Sequence, residues 1–221
     1  MLLAFCTSTI HLHAMDEWDG KTIAKGFYSG TGTKSDPYRI FTASQFLYFI
    51  QQTRDGNTFN GQYIELCNDI SFRTNAGLAD GGDFYGDFDG NDHTIKVDKY
   101  ADGIDGYLLY GWHLFNLYGS MHDVLFVKAN EVMTIYTGGI LYNCRFEFGG
   151  YHRNWTIRLQ GGIIANCVSN AASSYQYLDS KPAQGFVAKY ASDNPYNPHG
   201  YCLNCYFPIE SNDYNGYTVC E

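Results

Sequence analysis

The sequence predicts a mainly β chain stacked as one solenoid, and three observations predict it. The first is composition: of 221 residues, 24 are Gly, 20 Tyr and 15 Phe, while charged residues make up only 17%. Such a mixture suits many turns and ladders of side chains on a β-surface, and long runs of Glu, Lys, Ala and Leu are missing. The second is a dense turn, Asp89-Gly90-Asn91-Asp92, set between Phe84 and Phe88 and the strand-like His93-Thr94-Ile95-Lys96-Val97. Asp, Asn and Gly tolerate a left-handed backbone or bond their own main chain, so this turn has a mechanism. The third is a returning pattern of Asp or Asn followed by a small apolar residue, at Asp123, Asn143, Asn166 and Asn204, in steps of 20, 23 and 38. A period in the low twenties fits one coil of a parallel β-helix, with Asn stacked on Asn at an inside corner and satisfying backbone groups. The long last step holds nearly two periods, or one with the Ser/Tyr/Asn/Pro-rich insertion around 171–200. Two copies are led by Gly-Gly, at Gly138-Gly139 and Gly161-Gly162. Leucine-rich repeats share the period, but their L-x-x-L-x-L pattern is absent.

The elements follow in order. Met1 to Ala14 is a short apolar stretch ending in a small residue, which reads as the remnant of a secretory signal cut after Ala14. A charged start to that signal is absent, and Leu3-Ala4-Phe5-Cys6 is a less favoured lipid-anchor reading through Cys6. Lys21 to Tyr28 is expected as a strand, Ser29 to Pro37 as a loop and Tyr38 to Ile40 as a short strand. Gly30-Thr31-Gly32 lacks the Gly-Lys-Ser/Thr of a phosphate loop and reads as a turn. Thr42-Ala43-Ser44-Gln45 is a capping box, and Phe46, Leu47, Phe49 and Ile50 give the helix an apolar face as far as about Thr53. That helix is expected to lid the first coil, because an open solenoid end exposes core and strand edges. Gln62 to Leu66 and Asn68 to Phe72 read as strands. The domain expectation is one body over 15–221, with an N-terminal cap about 20–55 and an atypical C-terminal cap about 171–221.

Charge and cysteine bound the function classes. The net charge is −9 and the pI about 5.1, with no cluster of Lys or Arg; this speaks against nucleic acid as a partner. No run reaches the ~18 apolar residues of a membrane-spanning helix, so an integral membrane protein is not expected. Seven Cys are present, and six remain without Cys6, an even number compatible with disulfides in an exported chain. Cys144 and Cys167 are read as small core residues. His199, Cys202, Cys205 and Cys220 have zinc-like spacing, but a disulfide between Cys220 and Cys202 or Cys205 is the preferred reading.

With these stretches on the page, the chain resembles the secreted, right-handed parallel β-helix proteins with GLUG-type repeats found among bacterial surface proteins. The resemblance rests on GTGTKSDPYRIFTASQF (Gly30 to Phe46), IELCNDISF (Ile64 to Phe72), FYGDFDGNDHTI (Phe84 to Ile95) and HLFNLYGSMHDVLF, and covers roughly residues 26 to 170. Asp92 stands where that family has Gly, Asn116 stands where Phe-Gly is usual, and the repeats decay after Asn166. The resemblance implies a right-handed single-stranded parallel β-helix with a short N-terminal capping helix, serving as a binding or adhesive scaffold at the bacterial surface. It implies no catalytic set.

Several residues compete for chemical roles. Asp87-x-Asp89-x-Asn91 echoes the first ligands of a calcium loop, although Gly90 and Asp92 break the EF-hand order; turn formation is preferred, with calcium as the alternative and no other cofactor expected. Asp87 with Asp89 or Asp92 are nominal carboxylate pairs for a glycoside hydrolase, and His152, Arg153 and Arg158 could serve a lyase, but nothing in the spacing selects them. Tyr110, Trp112, Tyr151 and Trp155 could stack on sugar rings, with packed loop aromatics as the plainer reading. His93 and His122 stand isolated and read as structural. The favoured function is therefore a non-catalytic secreted or cell-surface scaffold for an extended glycan or protein surface. A polysaccharide lyase or hydrolase on the same fold, and a structural fragment of a larger adhesin, are the alternatives.

Overall fold

The computed structural model describes residues 14–72, 80–97, 113–127, 132–147, 157–169, 187–189 and 200–206. In chain order the first elements are β1 (Asp16–Glu17), β2 (Tyr38–Ile40), α1 (Ala43–Arg54), β3 (Tyr63–Leu66), β4 (Ile70–Phe72), β5 (Asp83–Phe84) and β6 (Asp87–Asp89). Next come β7 (Thr94–Val97), β8 (Phe115–Leu117), β9 (Ser120–His122), β10 (Leu125–Val127), β11 (Met133–Tyr136) and β12 (Ile140–Tyr142). The series ends with β13 (Arg145–Glu147), β14 (Ile157–Gln160), β15 (Ile163–Ala165), β16 (Val168–Ser169), β17 (Val187–Lys189) and β18 (Tyr201–Leu203). The protein is mainly β, and its strands fall into three parallel sheets. These run β1-β4-β7-β10-β13-β16, β17-β14-β11-β8-β5 and β18-β15-β12-β9-β6-β3-β2. From β3 onward, successive strands pass from sheet to sheet, and each pairs with the strand three places on.

The strands are two to four residues long, and left-handed turn residues lie between several of them. Where Asp123, Asn143, Asn166 and Asn204 stand, φ is +53°, +54°, +52° and +50°, a region Asn and Asp enter more readily than other side chains. Asn91 and Asp92 do the same at +48° and +60°, so Asp92 takes the left-handed turn that a glycine would have filled without strain. The inside-corner expectation for the Asn ladder is corrected. Asn143, Asn166 and Asn204 are exposed, and the residues that follow, Cys144, Cys167 and Cys205, point inward. The left-handed residue turns the chain from one sheet to the next, with its own side chain at solvent and the next one in the core. The ladder itself is real: Asn204 Nδ2 donates to Asn166 Oδ1 at 2.7 Å, and Asn166 Nδ2 donates to Asn143 Oδ1 at 3.4 Å.

Inward residues stack in columns set by the register. Ile64, Phe88, Met121, Leu141, Ile164 and Cys202 form one, and Ile70, Ile95, Phe126, Phe146 and Ser169 another. Phe84, Leu117, Ile135 and Leu159 form a third. All but Cys202 are nearly or wholly buried, and each large apolar side chain so removed from water contributes about 1.5–3 kcal/mol.

At the N-terminal end α1 begins with the expected capping box. The Gln45 N–H donates to Thr42 Oγ1, and Gln45 Oε1 accepts from the Thr42 N–H. Asp16 Oδ2 accepts the Ala43 N–H at 2.7 Å, adding a carboxylate where the helix dipole favours one. The helix buries Phe46, Leu47, Phe49 and Ile50. Phe49 contacts the rings of Phe59, Phe84, Phe88 and Phe115, and Phe46 contacts Phe72 and Phe88. The strand expected over Lys21 to Tyr28 is not formed. Asp19 instead accepts the N–H groups of Lys21 and Thr22 while Trp18 Nε1 donates to the Thr22 carbonyl, and these local bonds curl the segment away from a ladder. Among the described residues no helix is long and apolar enough to cross a membrane.

Candidate functional site

The site is built on the outer face of the largest sheet. Side chains alternate across a strand, so Ile64, Phe88, Met121 and Leu141 point in and their neighbours point out. The register then aligns the outward residues Arg39, Glu65, Asp89, His122, Tyr142, Ala165 and Leu203 in one file. Beside it runs a second file, Tyr63, Asp87, Ser120, Ile140, Ile163 and Tyr201. The two files are ionic and polar at the β2–β9 end and apolar toward β18. Close approach of neighbouring strands here depends on the glycines that precede them. A Cβ on Gly119 would sit 2.0 Å from the Gly86 carbonyl oxygen, and one on Gly139 2.2 Å from that of Leu117.

His122 is the centre of the ionic end. Its Nε2 lies 3.3 Å from Asp87 Oδ1, and its Nδ1 lies 2.7 Å from Asp123 Oδ2 and 3.6 Å from Asp89 Oδ1. The ring is held flat against Tyr142, centroids 4.6 Å apart and planes 18° from parallel. Ser120 Oγ donates to the other oxygen of Asp87. Burial works against a charge on His122, but the hydrogen bonds to Asp87 and Asp123 and the charges of Asp89 and Asp87 outweigh it, and the pKa rises to about 9. The hydrogen bond from His122 in turn holds Asp87 below the usual carboxylate range, against the opposing effect of burial and with help from Ser120. At neutral pH the knot is thus an imidazolium between carboxylates. The ligand atoms of Asp89, His122 and Asp123 all lie within 4.8 Å of one another.

The calcium expectation named Asp87, Asp89 and Asn91. Asp87 and Asp89 do share the outer face of β6, but Asp87 turns to His122 and Ser120. Asn91 closes a turn by donating its N–H to Asp89 Oδ1 at 2.7 Å. Sequence reading left His122 as an isolated structural residue. It missed the knot because Asp87 and His122 meet only through the β6–β9 register.

A second outward feature is a row of tyrosines at the corner before the largest sheet. Tyr85 and Tyr118 stack at 4.6 Å and 3°, and Tyr118 and Tyr136 at 4.8 Å and 8°. Tyr85 is 41% exposed. The sugar-stacking residues expected from sequence, Tyr110, Trp112, Tyr151 and Trp155, lie outside the described residues, as do Cys6, His152, Arg153, His199 and Cys220. Cys144 and Cys167 are fully buried, as expected of small core residues, and Cys205 continues their column with its sulfur 3.4 Å from the Cys167 N–H. Thiol–thiol contacts with Cys144 and Cys205 and deep burial push the Cys167 thiol far up, so it stays protonated and inert. Cys202 faces the interior of the largest sheet at 8% exposure. Comparison of the chain with family models, with curated proteins and with solved structures gives no match.

Proposed function

We propose that this chain is a right-handed parallel β-helix that acts without catalysis as an exported, cell-surface scaffold, binding an extended glycan or protein segment along its outer face. The cyclic passage of strands through three parallel sheets supports the solenoid reading. The observation that carries the function is the row Tyr85, Tyr118 and Tyr136. Their rings stack on one another, so each offers its edge and hydroxyl to solvent at a repeat of 4.6–4.8 Å. Burial and then the nearby Asp83 raise the Tyr118 phenol pKa, so the hydroxyl stays neutral and can both donate and accept. A ligand with regularly spaced hydroxyls or amides, laid along the row, meets the same partner at each step.

The carboxylates around His122 favour binding over turnover. A hydrolase needs one carboxyl free to donate and one free to attack or activate water, whereas Asp87 and Asp123 are both engaged by the His122 imidazolium. A glycan and peptide array on the purified chain, read for binding and for released product, tests the reading. Binding without product, weakened about tenfold or more by Tyr118→Ala, is expected. Shortened or unsaturated sugars among the products would replace it with a polysaccharide-degrading enzyme. Binding unchanged in Tyr85→Ala and Tyr118→Ala would remove the tyrosine row from the account.

A further inference from the structure

We propose that Asp89, His122 and Asp123 form a binding site for one divalent transition-metal ion of the zinc type, independent of the tyrosine row. The argument begins with the donor set. One imidazole nitrogen and two carboxylate oxygens, from β6, β9 and the residue after β9, all lie within 4.8 Å of one another. An ion bound at about 2.0–2.2 Å by nitrogen and oxygen needs its ligands roughly 3.4 Å apart in a tetrahedral arrangement. His122 Nδ1 and Asp89 Oδ1 stand at 3.6 Å already. His122 Nδ1 and Asp123 Oδ2 are closer, at 2.7 Å, because a proton now lies between them; exchanging that proton for a metal opens this edge by about 0.7 Å.

The surroundings of the ring supply a second argument. A metal-binding histidine needs its other nitrogen held by an acceptor, which fixes the tautomer and the ring plane. Asp87 does this at His122 Nε2, and Asp87 is itself held by Ser120. Tyr142 stacks on one face of the ring. Once the ion displaces its proton, Nδ1 presents a lone pair beside Asp89 and Asp123. Charge points the same way: three carboxylates surround one imidazole, and the neighbouring Arg39 is engaged by Asp36 and Glu65. An imidazole ligand selects a zinc-like ion over calcium, which takes oxygen ligands. Asp89 is partly open to solvent, which leaves room for water as a fourth ligand.

The test uses the full chain stripped by chelator and titrated with zinc chloride by calorimetry, with cobalt(II) as the absorbing substitute and calcium chloride as the contrast. Imidazole nitrogen shifts from a ¹⁵N-histidine sample report whether His122 is the ligand. The expected result is one saturable zinc ion per chain with ring-nitrogen shifts confined to the His122 imidazole and largest at Nδ1. Asp89→Asn and Asp123→Asn, which keep size and shape, should each weaken that binding by at least about tenfold, and Asp87→Asn should weaken it by about 10-fold or more through the ring. Circular dichroism on each variant separates loss of the ion from loss of the fold. Zinc affinity unchanged in Asp89→Asn and Asp123→Asn would assign the ion to thiols elsewhere and overturn the site. So would the absence of saturable binding below millimolar zinc, or calcium binding that leaves the His122 nitrogens unshifted.

Discussion

A single protonation event at His122 links the outer face of the largest sheet to stability. In metal-free protein its pKa stands at about 9 against an ordinary 6.5, so the folded state binds this proton more tightly than the unfolded chain does. The stabilisation is therefore complete below about pH 6.5 and is lost as pH rises through about 9. Discounted for solvent screening, the ion pairs contribute about 1 kcal/mol. With chelator present, wild type should lose roughly 2–4 °C of Tm between pH 6.5 and 9.5 that His122→Gln does not lose; parallel curves for the two would remove His122 from the pH dependence. Gly119 makes the opposite kind of claim, one of space. A Cβ there would lie 2.0 Å from the Gly86 oxygen and 2.5 Å from the Tyr85 carbonyl carbon, both backbone atoms, while one on Gly26 would meet nothing within 4 Å. Gly119→Ala should cost at least about 3 kcal/mol in urea unfolding, and Gly26→Ala close to nothing. Equal costs at the two positions would show that the strands separate more easily than their register implies.

Among the elements, α1 was the most legible in sequence. Its signals are local: Thr42 and Gln45 are neighbours on the chain, and the apolar face of Phe46, Leu47, Phe49 and Ile50 repeats within two turns. Thr42→Ala should accordingly cost about 1 kcal/mol, read as a lower urea midpoint with the slope unchanged; no change in midpoint would mean that Asp16 alone holds the helix start. The Asn-Cys turns were legible for the same local reason, since a left-handed residue followed by a small one is a short signal. The sidedness of that turn was not, because Asn reads equally well as a buried ladder or an exposed one until the chain direction on either side is known. The curl after Trp18 was missed because Asp19 competes for backbone N–H groups that a strand would have used. Asp87, Ser120, His122 and Tyr142 are brought together only by strand register, and the unequal sequence spacing between strands hides that register from any fixed period.

At the scale of the molecule, stability should be graded along the sheets. Strands such as β7, β10, β9 and β12 pair on both sides, whereas β1, β2 and β18 end their sheets. Among the described residues the strand-to-strand pairings within the three sheets join segments distant in sequence, so an inner strand depends on its two neighbours and a terminal strand on one. Amide exchange should therefore be slowest for inward residues of the inner strands, Ile95, Phe126, Met121 and Leu141, and faster at β18. The β1 and β2 end should be slower than β18, because α1 buries its phenylalanines against the first strands. Phe126 gives the sharpest test, since it is fully buried and stacked on Phe146 at 5.0 Å and 14°. Phe126→Ala should cost about 3–5 kcal/mol and lower protection in β7 and β13, the two strands that pair with β10, before it touches β2 or β3. A uniform loss of protection across all three sheets would instead mean that the strands unfold as one unit. The register would then transmit the lost contact along the whole stack rather than only to its neighbours.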